Sequence, residues 1–178
     1  MIRTYLRLGM LCSLLAGAAF AADDVASAVE GTVKSVDKGA KTVVVKTSEG
    51  TEHTFHFVGR TIDHGATDAA KGSKDAFQDV KEGDHVVVHY TMKGADKTAE
   101  EVDHVGKDGL KMSVVAVKSV DQGAKTVTVK TAEGGEETYH LADRAAKETG
   151  KGLEKTGKVT MYYSEEAGKK IAHFFKAN

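Results

Sequence analysis

Segments 33–56 and 117–140 of this chain read VKSVDKGAKTVVVKTSEGTEHTFH and VKSVDQGAKTVTVKTAEGGEETYH, and they agree at 18 of 24 positions at a fixed offset of 84. Such a duplication restricts the architecture to one small unit built twice. It also sorts the residues. Positions shared by the copies serve the common fold. Positions that differ are where one copy can do something the other does not.

Each copy carries strand and turn signals in the same order. Val33 and Val36 mark a first strand, matched by Val117 and Val120. Asp37-Lys38-Gly39-Ala40 and Asp121-Gln122-Gly123-Ala124 follow as turns, where Asp bonds nearby backbone and Gly can take positive φ. Residues 42–47 and 126–131 are rich in β-branched residues and alternate around Val43, Val45, Val127 and Val129. Glu49-Gly50 and Glu133-Gly134 mark the next hairpin, before a third strand with Phe55 and Phe57 or Tyr139 and Leu141. Helical spacing appears next, in Asp68 to Lys71 and Ser73 to Val80, with Ser73 as a candidate N-cap. The second copy is about ten residues shorter here and keeps Ala145-Ala146-Lys147. Residues 85–90 and 158–163 read as fourth strands, and Gly94 and Gly168 turn the chain into fifth strands.

Three strands, a short helical connection and two more strands give an all-β class. The expected architecture is two tandem five-stranded OB-like barrels, an order used by oligonucleotide- and oligosaccharide-binding folds. The alternative is a flat meander. Closure is favoured because it removes exposed strand edges in units with modest cores. The expected division is a leader over 1–22, a first barrel over 23–106 and a second over 110–178, joined at Gly106 to Gly109.

The leader is read from Arg3 and Arg7, the apolar run Leu8 to Phe20 and the small-x-small triplet Ala19-Phe20-Ala21. The run is shorter than the ~20 residues of a membrane anchor and meets Asp23 and Asp24 at once. A cleaved signal peptide is therefore expected, with a periplasmic or secreted product and no integral membrane segment after cleavage. The single cysteine, Cys12, falls inside it. That leaves the mature chain without thiolate sites, cysteine nucleophiles or disulfides. Removing Arg3 and Arg7 leaves 23 basic residues (25 − 2) against 26 acidic ones, a net charge near −3. Both signs are mixed along the chain, so electrostatics offer no reason to expect nucleic acid as a partner.

The opening Gly31-Thr32-Val33-Lys34-Ser35-Val36-Asp37 and the later Gly83-Asp84 to Tyr90 resemble a family of small exported bacterial barrels, one to which no function is attached. The resemblance covers nearly all of each repeat. The fold is also more distantly similar to that of periplasmic copper and silver chaperones of efflux systems. Those use Met, His and Trp around strands two and three. This chain has no Trp, and Met92, Met112 and Met161 lie elsewhere, so the resemblance carries the fold and not the copper site.

Histidine is the candidate ligand with an uneven distribution. Six fall in the first repeat (His53, His56, His64, His85, His89 and His104) and two in the second, His140 and His173. Imidazole suits Zn, Cu and Ni. His85 and His89 share a strand face yet lie roughly 13 Å apart along it at ~3.3 Å per residue. A hairpin centred on Gly94-Ala95 would set His85 opposite His104 and His89 opposite Glu100. Cβ atoms about 5 Å apart could then share an ion, although a one-residue slip removes that arrangement. His85 and His104 are thus the candidate metal pair, weighed against solvated surface histidines. His56 and His140 match between copies and are candidates for surface interaction or cross-strand packing, as are His89 and Tyr162 on the matching fourth strands. Tyr162, Phe174 and Phe175 are the aromatics expected to point outward, as a glycan-stacking platform or as an interface between barrels.

No H-E-x-x-H, G-x-S-x-G or phosphate-loop motif occurs. The expected function is a non-catalytic binding or scaffold protein of the cell envelope, with no required cofactor, acting on an envelope protein or small ligand. The alternative is a periplasmic metal-binding protein using first-repeat histidines. A weaker alternative is a glycan-binding module.

Overall fold

A computed structural model describes residues 27–64, 76–107, 109–149 and 152–178. The expected leader lies outside the described residues, as do the helical signals at Asp68 to Lys71 and the Ser73 cap. The first repeat comprises β1 (Ser27–Asp37), β2 (Thr42–Lys46), β3 (Glu52–His64), a one-turn helix α1 (Ala76–Asp79), β4 (His85–Lys93) and β5 (Asp96–His104). The second comprises β6 (Lys111–Asp121), β7 (Thr126–Lys130), β8 (Glu136–Leu141), α2 (Asp143–Glu148), a 3-10 turn at Leu153–Lys155, β9 (Lys158–Glu166) and β10 (Lys169–Ala177). Two five-stranded sheets result. Each closes on itself, in the orders β1-β2-β3-β5-β4 and β6-β7-β8-β10-β9.

The registers repeat residue for residue. Val36 opposes Val43 in the first sheet and Val120 opposes Val127 in the second. Val43 then opposes Phe55, and Val127 opposes Tyr139. The Asx turns form as the sequence predicts: the Asp37 carboxylate accepts from the amides of Gly39 and Ala40, and Asp121 accepts from Ala124. The positive φ, however, falls on Lys41 (52°) and Lys125 (50°) and not on the turn glycines.

Period-two alternation fills both interiors. Val33, Val43, Val45, Phe55, Val86 and Val88 are buried in the first, with Phe77 and Val80 from the α1 region closing one end. Val117, Val127, Val129, Tyr139, Val159 and Met161 do the same in the second. A third, smaller cluster joins the units: Val87 and Leu110 pack with Tyr162, flanked by Ala28, Val105 and Phe174. β4 is thus buried on both faces over Val86 to Tyr90.

Two features break the symmetry between copies. β3 runs for 13 residues and β8 for 6. The extension of β3 pairs with β5 a second time, setting Ile62 beside Glu101 and His64 beside Asp103. In the second copy α2 takes that place. The other feature is how the copies use a shared β-bulge. Glu100 is the extra residue on β5, and His173 is the extra residue at the matching point of β10.

Candidate metal centre

The bulge at Glu100 decides where the predicted histidines go. From the Gly94 turn up to Tyr90 opposite Ala99, the β4–β5 register is the expected one. Beyond it the pairing slips by one, so Val86 opposes His104 and His89 opposes Glu101. The expected juxtaposition of His85 with His104 is therefore replaced. His85 Nε2 instead contacts the Glu30 carboxylate on β1. His104 Nε2 lies 3.3 Å from Asp63 and its Nδ1 lies 3.8 Å from Asp84. Burial opposes the charge on His104, yet Asp63 and Asp84 raise its pKa. His56 and His140 are exposed on matching strands. His89 and Tyr162, expected at the surface, are 1% and 2% exposed, because the two repeats meet over them.

That meeting assembles a cluster. Asp103, fully buried on β5, is its centre. Asp103 Oδ1 lies 3.0 Å from His64 Nδ1, while Oδ2 lies 3.3 Å from His89 Nε2 and 3.8 Å from His173 Nδ1. Glu101, two residues earlier and on the same face, approaches His64 Nδ1 at 3.0 Å and pairs with Arg144 Nε on α2. His173 Nε2 meets the Ser164 hydroxyl at 3.0 Å. One potential ligand atom from each of His64, Glu101, Asp103 and His173 lies within 4.8 Å of all the others. An open cleft of about 520 Å³ runs beside them, between Ile62, Arg144 and Ile171.

The electrostatics follow from burial and pairing. Hydrogen bonds to Asp103 and Glu101 push the His64 pKa up to about 10. Burial works against the Asp103 carboxylate, but His64 and His89 outweigh it and hold it well below the usual range. Glu101 is lowered in the same way, burial being overcome chiefly by His64. Burial lowers the pKa of His173, against the pull of Asp103 and Glu101. Asp103 Oδ2 and His173 Nδ1 are both buried; Nδ1 has no hydrogen-bond partner, and Oδ2 has the 3.3 Å ion pair with His89. Unpaired buried polar atoms are uncommon and mark places where a water or ion belongs.

The donor set is imidazole and carboxylate with no sulfur, which suits Zn, Ni or Cu(II) and not soft monovalent ions. Donors on a Zn tetrahedron with ~2.0–2.1 Å bonds lie roughly 3.3 Å apart. Three contacts in the cluster, at 3.0, 3.0 and 3.8 Å, lie near that value, and the donor set as a whole lies within 4.8 Å. Sequence reasoning weighed His104 and missed His64 and His173. The available signal was the alternation Glu101-x-Asp103 on a strand whose partner copy reads Phe174-x-Lys176.

Among the described residues, no helix is long and apolar enough to cross a membrane. No protein-family model matches the chain, and no curated protein does. Among solved structures it is similar to silver(I)-bound CusF, at 14% identity and a TM-score of 0.34, over 46% of this chain and 99% of CusF.

Proposed function

We propose that the chain is an exported, non-catalytic binding protein of the cell envelope, built from two OB-like barrels, that takes a divalent transition metal where the barrels meet. The observation carrying this reading is the group of His64, Glu101, Asp103 and His173, with the buried His173 Nδ1 lacking a hydrogen-bond partner. Zn²⁺ is the best fit to two imidazoles and two carboxylates.

A scaffold reading competes, and a specific observation favours it. Arg144 and His64 already neutralise Glu101 and Asp103, so the cluster also serves as a charge network between the repeats. The first-repeat pair of His85 and His104 remains a separate proposal, with His104 joined to Asp63. The glycan reading has less support, because Tyr162 and Phe174 stack on each other at 5.6 Å inside the junction.

Calorimetric titration of Zn²⁺ into the purified chain separates the first three of these four readings. The proposed site predicts one equivalent bound, lost in Asp103→Asn and retained in the double variant His85→Ala, His104→Ala. Loss in the double variant alone moves the site to the first-repeat pair. No uptake at micromolar Zn²⁺ leaves the scaffold reading.

A further inference from the structure

Neither repeat contains the site. The strand registers show why. Ala99 pairs with Phe57, and Ala172 with Leu141 at the matching point, so Glu100 corresponds to His173, Glu101 to Phe174 and Asp103 to Lys176. On the neighbouring strand, Tyr162 stands where His89 stands. The first copy has both carboxylates and the β3 extension with His64. At its bulge, however, it carries Glu100, which is tied to Arg60 and Thr91. The second copy supplies the bulged imidazole of His173, and the positions of the carboxylates hold Phe174 and Lys176. The copies have diverged into complementary halves of one face.

Two buried polar atoms of the site lie on opposite sides of that face. Asp103 Oδ2 belongs to the first repeat and His173 Nδ1 to the second, 3.8 Å apart. Closing the face without a bridge takes both out of water, leaving Nδ1 without a hydrogen bond and Oδ2 with its 3.3 Å contact to His89, which opposes closure. A cation between them removes that opposition. The rest of the junction includes the cluster around Val87, Leu110 and Tyr162, the packing of Phe174 on His89, the contacts of Lys176 with Glu30 and Ser48, and the ion pair of Glu101 with Arg144.

We infer that the metal ion is the clasp between the two repeats, so that its binding and the closure of one barrel on the other are a single coupled event. This inference rests on the metal-binding reading above. A ligand that binds the closed arrangement better than the open one stabilises closure by the factor by which closure tightens its own binding.

The experiment is hydrogen–deuterium exchange on the full chain with and without Zn²⁺, alongside calorimetry on two variants. Zn²⁺ is expected to slow exchange in both Asp96–His104 and Lys169–Ala177, by about 5–150-fold, the range of coupling between sites. His173→Ala should weaken Zn²⁺ binding and abolish the protection of Lys169–Ala177. Phe174→Ala removes no proposed ligand yet takes a side chain out of the junction, so it should also weaken Zn²⁺ binding. Zn²⁺ bound with protection confined to β3 and β5, or with affinity unchanged in Phe174→Ala, overturns the clasp and leaves a first-repeat metal site standing. No Zn²⁺ uptake by the unaltered chain overturns the metal reading itself and the clasp with it.

Discussion

Lys176 on β10 donates to the Glu30 carboxylate on β1 at 2.7 Å, joining residues 146 apart in sequence. The same carboxylate meets His85, and its side chain is 9% exposed. Removing Lys176, itself 33% exposed, takes one partner from the enclosed Glu30 carboxylate and leaves it on His85. Lys176→Met should destabilise the chain by about 1–3 kcal/mol, measured by urea unfolding at pH 7. An effect under about 0.5 kcal/mol would mean that the ion pair is a solvated surface contact.

The pH dependence of that contact has a definite sign. Burial alone would raise the Glu30 pKa, but Lys176 and His85 hold it below its ordinary value. A carboxylate with a depressed folded pKa contributes stability above its unfolded value, near 4.5, and loses it as the pH falls through the folded one. Unfolding free energy of the native chain should therefore drop between pH 5 and pH 3 more steeply than that of Glu30→Gln. Parallel curves would refute the assignment.

Arg144 pairs with Glu101, so at the proposed site it would compete with a metal for that carboxylate. Arg144→Ala frees that oxygen, so Zn²⁺ affinity should rise by up to about 1.5–3 kcal/mol, the worth of a hydrogen bond to a charged group. A fall in affinity on titration would instead show that the guanidinium orients Glu101 for binding.

Gly109 leaves the chain no room for a side chain. A Cβ there would stand 2.0 Å from the His104 carbonyl oxygen, which already accepts the Leu110 amide at 2.7 Å. Gly109→Ala should cost about 1–3 kcal/mol by thermal or urea unfolding. At Gly59 a Cβ meets nothing within 4 Å. Gly59→Ala should stay within about ±0.5 kcal/mol.

The matched core valines give the fold test. Val43 and Val127 are each 1% exposed. Val43→Asp and Val127→Asp each bury a carboxylate without a partner, a penalty of several kcal/mol. Exchange protection should be lost first in the altered barrel. Equal and simultaneous loss in both would show that the repeats unfold as one cooperative unit.

What could be read in advance was local and repeated. The duplication aligned the strands, and the Asp37 and Asp121 turns and the alternation of Val43, Val45 and Phe55 formed as their chemistry requires. The β4–β5 hairpin was legible as far as Tyr90 opposite Ala99. Past that point no residue type announces a bulge, and a single extra residue at Glu100 turned His104 from His85 towards Asp63. The cluster lay further out of reach. His64 and His173 are brought together by two strands of different barrels, and a single sequence carries no record of how one sheet rests on another. The outward aromatics Tyr162 and Phe174 were the clue, since each fitted an interface as well as a binding platform.

The complementary halves carry a consequence for symmetry. A two-fold pair of identical subunits must present the same residues from both sides. Two first-copy faces would enclose Glu101 and Asp103 twice over, without the Arg144 and His173 that the second copy brings to them here. Two second-copy faces would press Phe174 and Lys176 against their own images. Tethering both halves in one chain makes the pairing heterologous and fixes its stoichiometry at one to one. The molecule is in effect a heterodimer whose subunits cannot part company.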